Sequence, residues 1–239
     1  MKRVKSRFTL IEMLAVVAIA SILIALITPA VQGLMFGSRV DQYASNFKLG
    51  MEQAQSKAFA SRKYVALVLP YDHSNTNSDT LQFNQYCKGG YRMAYVTRDG
   101  STYNFERWVD NQDWKNPNAG ALCIDIRNTG PTAATAEARS DWADAVKNSA
   151  SSLARNGNFS ALSTLGSTNL PSELSNSGNA ALIFSPFGGV VNNDLPIYFT
   201  FTEAKIDGGR YAFDNIDNIL VLKLNPITGQ VTYFDPYAE

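Results

Sequence analysis

The chain has 239 residues, enough for one membrane segment and one globular domain of ordinary size, and its 45% hydrophobic content is enough for a packed core. Its 21 cations balance 21 acids, but unevenly. Residues 1–7 hold four cations and no acid, leaving 17 cations against 21 acids, or −4, and so mildly acidic a remainder gives no general reason to expect nucleic acid as a partner.

The first element is the stretch 1–29. Lys2, Arg3, Lys5 and Arg7 precede a run from Phe8 to Ile27 that is apolar except for Thr9, Glu12 and Ser21. An α-helix needs about 20 such residues to cross a bilayer core of roughly 30 Å. The cations place the N-terminus in the cytoplasm and the residues after Pro29 on the outer side. A carboxylate in hydrocarbon costs about 2.5–3.5 kcal/mol on insertion scales, so Glu12 needs a partner or an interfacial position. A freed α-amine at Phe8, in the same chain or a neighbouring subunit, would serve. Pro29 removes a helical donor, which predicts a kink or local melting.

The basic leader, the string Phe8-Thr9-Leu10-Ile11-Glu12, the apolar run and Pro29 together resemble the N-terminal signal of type IV pilins and type II secretion pseudopilins. Counted from Phe8, Glu12 is fifth and Pro29 twenty-second, as in that family. The resemblance implies cleavage between Arg7 and Phe8 by a prepilin peptidase, N-methylation of Phe8, and use of Glu12 to register incoming subunits. Arg7 stands where the family usually has Gly, so a chain anchored but never cleaved is the alternative. A plain secretory signal peptide is a second alternative, opposed by the acid in its apolar core and by the poor cleavage site Thr28-Pro29-Ala30. A generic single-span anchor is a third.

Beyond Pro29 the spacing of Phe36, Val40, Tyr43, Phe47, Met51, Ala54 and Ala58 defines one face of an amphipathic helix, with polar residues between. Gly33, Gly37 and Gly50 each weaken a helix by up to about 1 kcal/mol relative to Ala, which predicts bending near 33–37. Residues 8–28 read as the transmembrane helix and 29–61 as its continuation.

Residues 62–239 read as a β-rich head. Tyr64–Leu69 is a strand ending at Pro70, and 71–80 is a polar loop. Tyr91–Thr97 and Thr102–Val109 flank an Asp99-Gly100 hairpin turn. Ala121–Ile126 is a further short strand. Residues 127–179 are rich in Ala, Ser and Asn and read as an insertion, with a helix over Thr135–Arg155 and loop over 156–179. Strands return at Ala180–Phe184, Leu195–Thr202, Asn218–Asn225 and Gln230–Phe234, the last two joined by the turn Pro226-Ile227-Thr228-Gly229. The order from Ile183-Phe184-Ser185-Pro186-Phe187-Gly188 onward is similar to the C-terminal sheet of H-type minor pseudopilins. Two cysteines, Cys87 and Cys123, allow one disulfide, worth about 3–4 kcal/mol in the chain-entropy picture; two buried thiols are the other reading.

No catalytic constellation stands out, and the chain reads as a non-enzyme. His73 is alone in a polar loop, and one His with two distant Cys makes no zinc set. Asp207, Asp214, Asn215, Asp217 and Asn218 offer oxygens to Ca²⁺, though their spacing fits no defined loop and solvated turns are the favoured reading; no other cofactor or metal is expected. Arg92, Arg98 and Arg107 interleave with Tyr91, Tyr95, Tyr103, Phe105 and Trp108. That pattern fits either a stacking platform for single-stranded nucleic acid or a sheet with aromatics inward and arginines outward, the second being favoured.

The expected fold is α+β and pilin-like, a long N-terminal transmembrane helix packed on an antiparallel β-sheet head. The expected function is a structural subunit of a pseudopilus or pilus-like fibre, and the resemblance implies service in type II secretion. It would sit single-pass in a bacterial inner membrane with a periplasmic head before assembly. Expected partners are other pilin or pseudopilin subunits, the prepilin peptidase, an inner-membrane assembly platform and membrane lipid. The alternative is a minor pilin that binds DNA or a surface ligand through Arg92, Arg98, Arg107 and Trp108.

Overall fold

The computed structural model describes residues 10–70, 90–115, 120–127, 179–191, 194–207 and 210–235. The sequence expectations for the leader, the 71–80 loop, Cys87 and nearly all of 127–179, including the helix over Thr135–Arg155, fall outside them. The chain divides into two compact units, Met1–Ser38 and Arg39–Glu239.

Helix α1 runs Leu10–Ser61 and is helical through Pro29, Gly33 and Gly37, so the local melting expected at Pro29 does not occur. Eight strands follow: β1 (Tyr64–Pro70), β2 (Arg92–Asp99), β3 (Thr102–Trp108), β4 (Leu122–Arg127), β5 (Asn179–Phe184), β6 (Ile197–Asp207), β7 (Arg210–Leu224) and β8 (Val231–Phe234). They form two four-stranded sheets rather than one, in the orders β3-β2-β1-β5 and β4-β6-β7-β8, and every pairing is antiparallel. The fold is α+β.

The main core lies in the second unit, between α1 and the inner faces of both sheets. Val40, Tyr43, Ala44, Phe47, Met51, Ala54 and Ala58 are all buried on the helix. They meet Val65, Leu67, Leu69, Met93, Leu182 and Phe184 from the first sheet, and Cys123, Ile126, Ile197, Phe199, Phe201, Leu222 and Leu224 from the second. Phe47 is the centre of this contact. Its ring lies 5.3 Å from Phe199, 5.4 Å from Phe201, 5.5 Å from Tyr91 and 6.3 Å from Tyr43, each tilted or edge-on as ring quadrupoles prefer.

Gly50 has a specific use here. The Tyr91 ring lies against the helix backbone, so a methyl on Gly50 would come within 2.6 Å of it. The Tyr91 hydroxyl donates to the Asn46 carbonyl at 3.0 Å, tying the helix to the segment that leads into β2.

A second apolar cluster covers the other face of the first sheet. Ala66, Val68, Ala94, Val96, Tyr103, Ala181 and Ile183 form it, with Tyr64, Phe105, Trp108, Trp114 and Val191 packed against them. β1 is buried on both faces, which is why Val65 to Leu69 read as a continuous apolar run rather than an alternation.

The β6–β7 hairpin extends well beyond the expected strands. Residues 203–207 and 210–217, which include Asp207, Asp214, Asn215 and Asp217 read from sequence as solvated turns, continue both strands past a bulge: Thr202 pairs with Ile219, but Glu203 pairs with Asn215. Polar side chains hold the bulge. Thr202 Oγ1 donates to the carbonyls of Asn215 and Asn218, at 3.2 and 3.1 Å, and Asn218 Nδ2 donates to the buried Glu203 carboxylate at 2.6 Å.

Two outcomes follow from the seam between helix and sheets. Gly50→Ala gains up to about 1 kcal/mol of helix propensity but forces the Tyr91 ring outward, at an overpacking cost of about 1–3 kcal/mol. A net loss of stability is expected in denaturant titrations in detergent; a gain would show that the ring is not seated there. The second outcome concerns alkaline pH. Burial raises the Tyr43 phenol well above its ordinary value, with Cys123 and Tyr91 adding to the effect, and burial pushes Tyr91 up to about 12. An unfolded chain releases these protons near pH 10, whereas the folded head holds them. Their contribution is therefore complete below pH 10 and is lost as pH rises from 10 through about 12. Unfolding midpoints at stepped alkaline pH should fall across that window, and ultraviolet titration should find at least two phenols, Tyr43 and Tyr91, ionising late.

Candidate assembly surface and the arginine–aromatic strands

The first unit presents an unusual surface. From Leu10 to Ile24 the helix carries ten large aliphatic side chains, each between 52% and 78% exposed, distributed around its whole circumference. Such a helix, apolar on every side, has no face suited to water. Sequestering each of these side chains gains about 1–2 kcal/mol, so the segment favours burial by on the order of 10–20 kcal/mol. That outweighs the roughly 3 kcal/mol cost of carrying one carboxylate into an apolar medium.

The two polar side chains in the segment are accommodated locally. Ser21 Oγ donates back to the Val17 carbonyl at 2.7 Å. Glu12 lies in the first turn of α1, where the helix dipole favours a carboxylate. Among the described residues no helix is long and apolar enough to cross a membrane; the expected span 8–28 extends past the described side chains at both ends. Arg7 and Phe8 lie outside the described residues. Pro29 is within α1, and its side chain is not described.

On the head, the three arginines do not share one surface. Each lies over its own aromatic ring: Arg92 over Trp108 at 4.6 Å, Arg98 over Tyr103 at 5.9 Å and Arg107 over Tyr95 at 4.9 Å. Tyr95 packs toward the main core, whereas Tyr103 and Trp108 belong to the cluster on the opposite face. Strand alternation, interrupted by the irregularity at Tyr95 and Val96, makes this division.

Each guanidinium also has polar partners. Arg92 Nε donates to the Gln112 carbonyl at 3.1 Å, and its Nη1 lies 4.0 Å from the Asp113 carboxylate. Arg98 Nε donates to the Gly100 carbonyl at 2.8 Å. Arg107 Nη1 contacts both oxygens of Asp110, at 2.8 and 2.7 Å. Tyr64 and then Tyr103 hold the Arg98 guanidinium more firmly protonated than usual, and Asp110 does the same for Arg107.

Between β3 and Lys115 the chain closes a cleft of about 460 Å³ lined by Arg92 and residues 108–113. A backbone bridge between Tyr91 and Lys115, at 2.9 Å in both directions, closes this loop. Trp114 packs beside Trp108 at 5.6 Å. The sequence reading missed Trp114, Asp110 and Asp113; the signal was the aromatic and acid spacing of Trp108-Val109-Asp110-Asn111-Gln112-Asp113-Trp114.

Cys123 is buried in the main core on β4, and its expected partner Cys87 lies outside the described residues. Among the described residues no group of three His, Cys, Asp or Glu side chains is placed to hold a metal ion. The candidate calcium ligands Asp207, Asp214, Asn215, Asp217 and Asn218 lie on the β6–β7 hairpin, where the Asn218 amide is committed to Glu203.

No family model matches the chain, and no curated protein matches it. Among solved structures it is similar to the type IV minor pilin FimU of Pseudomonas aeruginosa strain PAO1. The two are 9% identical, the match covers 84% of this chain and 92% of that one, and the TM-score is 0.41. So slight a likeness does not carry the functional reading, which rests on the chain's own residues.

The Arg92–Trp108 stack has a measurable weight. Arg92→Ala is expected to lower the unfolding free energy by about 1 kcal/mol and to shift tryptophan emission, since it removes the cation and uncovers the ring. Arg98→Ala, more exposed, should lower stability by less than Arg92→Ala does. Equal effects from the two would argue against an internal role for Arg92.

Proposed function

We propose that this chain is a structural subunit of a pilus-like or pseudopilus fibre, held in a bacterial inner membrane by its N-terminal helix until it assembles. The observation that carries the reading is the apolar circumference of Leu10–Ile24 with a single acid in its first turn. A helix of that kind has two stable surroundings, lipid and a bundle of similar helices. Exchange of one for the other keeps the aliphatic side chains out of water throughout.

Glu12 gives the exchange a register. A carboxylate among apolar helices is tolerated where it meets a positive group and is costly elsewhere, so sliding between neighbours stops at the position that pairs it. In this reading the partner is the α-amine of Phe8, freed by cleavage after Arg7 and then methylated. The peptidase, an inner-membrane assembly platform, other subunits of the same class and surrounding lipid are the partners. Type II secretion is the setting we favour, and the chain acts without catalysis of its own. A head that engages DNA or a surface ligand is the second reading. It has the less support, because each arginine on β2 and β3 is already stacked and hydrogen-bonded within the head.

Glu12→Ala is expected to leave the protein in the membrane fraction at normal level and to reduce its recovery in sheared fibres at least tenfold. Unchanged incorporation would remove the register role. N-terminal sequencing of the membrane protein should begin at methylated Phe8; a start at Met1 would mean an anchored subunit that is never processed.

A further inference from the structure

We propose that the outer face of the second sheet is a docking surface for the chain's own segment 128–178, which seats there through Trp142, Val146 and Leu153. The inference is independent of the fibre reading above.

Alternation along β6 divides its side chains between two faces. Ile197, Phe199 and Phe201 enter the main core together with Cys123, Leu222 and Leu224, so that face meets α1 and the first sheet. Tyr198, Thr200 and Thr202 therefore point the other way, as do their register partners Lys223, Val221 and Leu122. An antiparallel sheet with one face on a core commonly gives its other face to water. This one does not. Thr200 and Val221, which pair directly, are both 0% exposed, and Leu122 is 5% exposed.

The strands themselves account for the margins of this burial. Thr202 Oγ1 is tied into the bulge by the carbonyls of Asn215 and Asn218. At the other margin the rings of Tyr198 and Phe234 meet at 5.1 Å, with Lys223 Nζ 5.7 Å from the Tyr198 ring. The centre is different. Leu122 and Val221 belong to neither apolar cluster. Thr200 Oγ1 is enclosed, yet among the described residues it has no hydrogen-bond partner. Buried hydroxyls are ordinarily bonded, so the missing partner points to a further layer. These are burials of the single chain, so that layer belongs to the same chain.

Length and attachment select the segment. Residues 71–89 begin and end on the first sheet, between β1 and the Tyr91 bridge that precedes β2. Residues 1–9 belong to the other compact unit. Residues 116–119, 192–193 and 208–209 hold no large apolar side chain, and 236–239, beyond the far edge strand β8, hold only Tyr237. Residues 128–178 start directly after Arg127, which pairs with Tyr198 at the edge of this sheet, and end at Asn179, where β5 begins on the other.

Their composition suits the face. Trp142, Val146 and Leu153, spaced four and seven, fall on one side of a helix whose other positions are mostly small or polar. So thin a stripe builds no core of its own and needs an apolar surface to lie on. Leu122, Val221 and the Thr200 methyl supply one. The many Ser and Thr hydroxyls of the segment are of the kind that would bond Thr200 Oγ1. A segment seated in this way closes the face to other subunits and to ligands, and the head meets its partners through its remaining surfaces.

The test uses the full chain in cell membranes, with photoreactive benzoylphenylalanine replacing Phe234, a half-buried ring paired with Val221 on this face. The expected cross-link is intrachain and joins position 234 to residues 128–178, mapped by mass spectrometry after trypsin, which releases Trp142 and Val146 in peptide 140–147. Trp142→Asp should reduce it about tenfold, because it sets an unpaired carboxylate against an apolar surface. Trp142→Phe should preserve it. The same probe at Tyr233, which faces Ser45 and Lys48 of α1, should link to the helix in every variant and so report that the head is folded. A cross-link from position 234 to a second copy, to lipid or to another protein would overturn the proposal. So would an intrachain link outside 128–178, or an undiminished link in Trp142→Asp. If Trp142→Asp also loses the link from position 233, the mapping from position 234 in the unaltered segment decides alone.

Discussion

The head is built on one ring. Phe47 projects from α1 into a nest made by Phe199 and Phe201 of the second sheet and by Tyr91 at the edge of the first. Both sheets turn their inner faces to this stretch of the helix. The small residues Ala44, Gly50, Ala54 and Ala58 around it let the helix sit close. At its other end the same helix carries Leu10–Ile24, whose large aliphatic groups are exposed. Its second half is amphipathic and packs on the head, and its first half is apolar on every side.

The first sheet is covered on both faces, and this decides what its arginines can do. Burial of Ala66, Ala94 and Ile183 beneath Trp108 and Trp114 leaves the guanidinium of Arg92 lying on an indole instead of facing solvent. The irregularity between Tyr95 and Val96 then puts Arg107 on the opposite side of the sheet from Arg92. Three cations that alternate with aromatics along two strands look like a continuous platform when written in a line. Folded, they are three separate stacks.

Much of the fold was legible because it follows periodicity. The three-and-four spacing from Val40 to Ala58 picks out the residues that are buried, and Asp99-Gly100 and Pro226–Gly229 mark two of the hairpin turns. What was not legible depends on contacts remote in sequence. Asp207, Asp214, Asn215 and Asp217 look like solvated turns, yet Glu203, Asn218 and Thr202 satisfy one another across the bulge and carry the strands through. Gly50 read as a weakness in a helix, since nothing local reveals the Tyr91 ring lying on it. The division into two sheets was hidden because β5 pairs with β1 across the whole middle of the chain. At the candidate site, the apolar run and Glu12 were plain from composition, whereas the cleft of Arg92 and residues 108–113 depends on the Tyr91–Lys115 bridge and could be found only in space.

The interleaving of the sheets also sets an order of events during synthesis. β4 belongs to the second sheet but precedes β5, which completes the first, so neither sheet is finished until the chain has crossed between them. Contacts of such long sequence separation form slowly, because loop closure must be offset before they contribute. The N-terminal helix, by contrast, is complete as soon as it leaves the ribosome. The helix is thus formed before the head can close. The delay before β5 arrives is therefore the interval in which unfinished edge strands are open to pairing with those of neighbours.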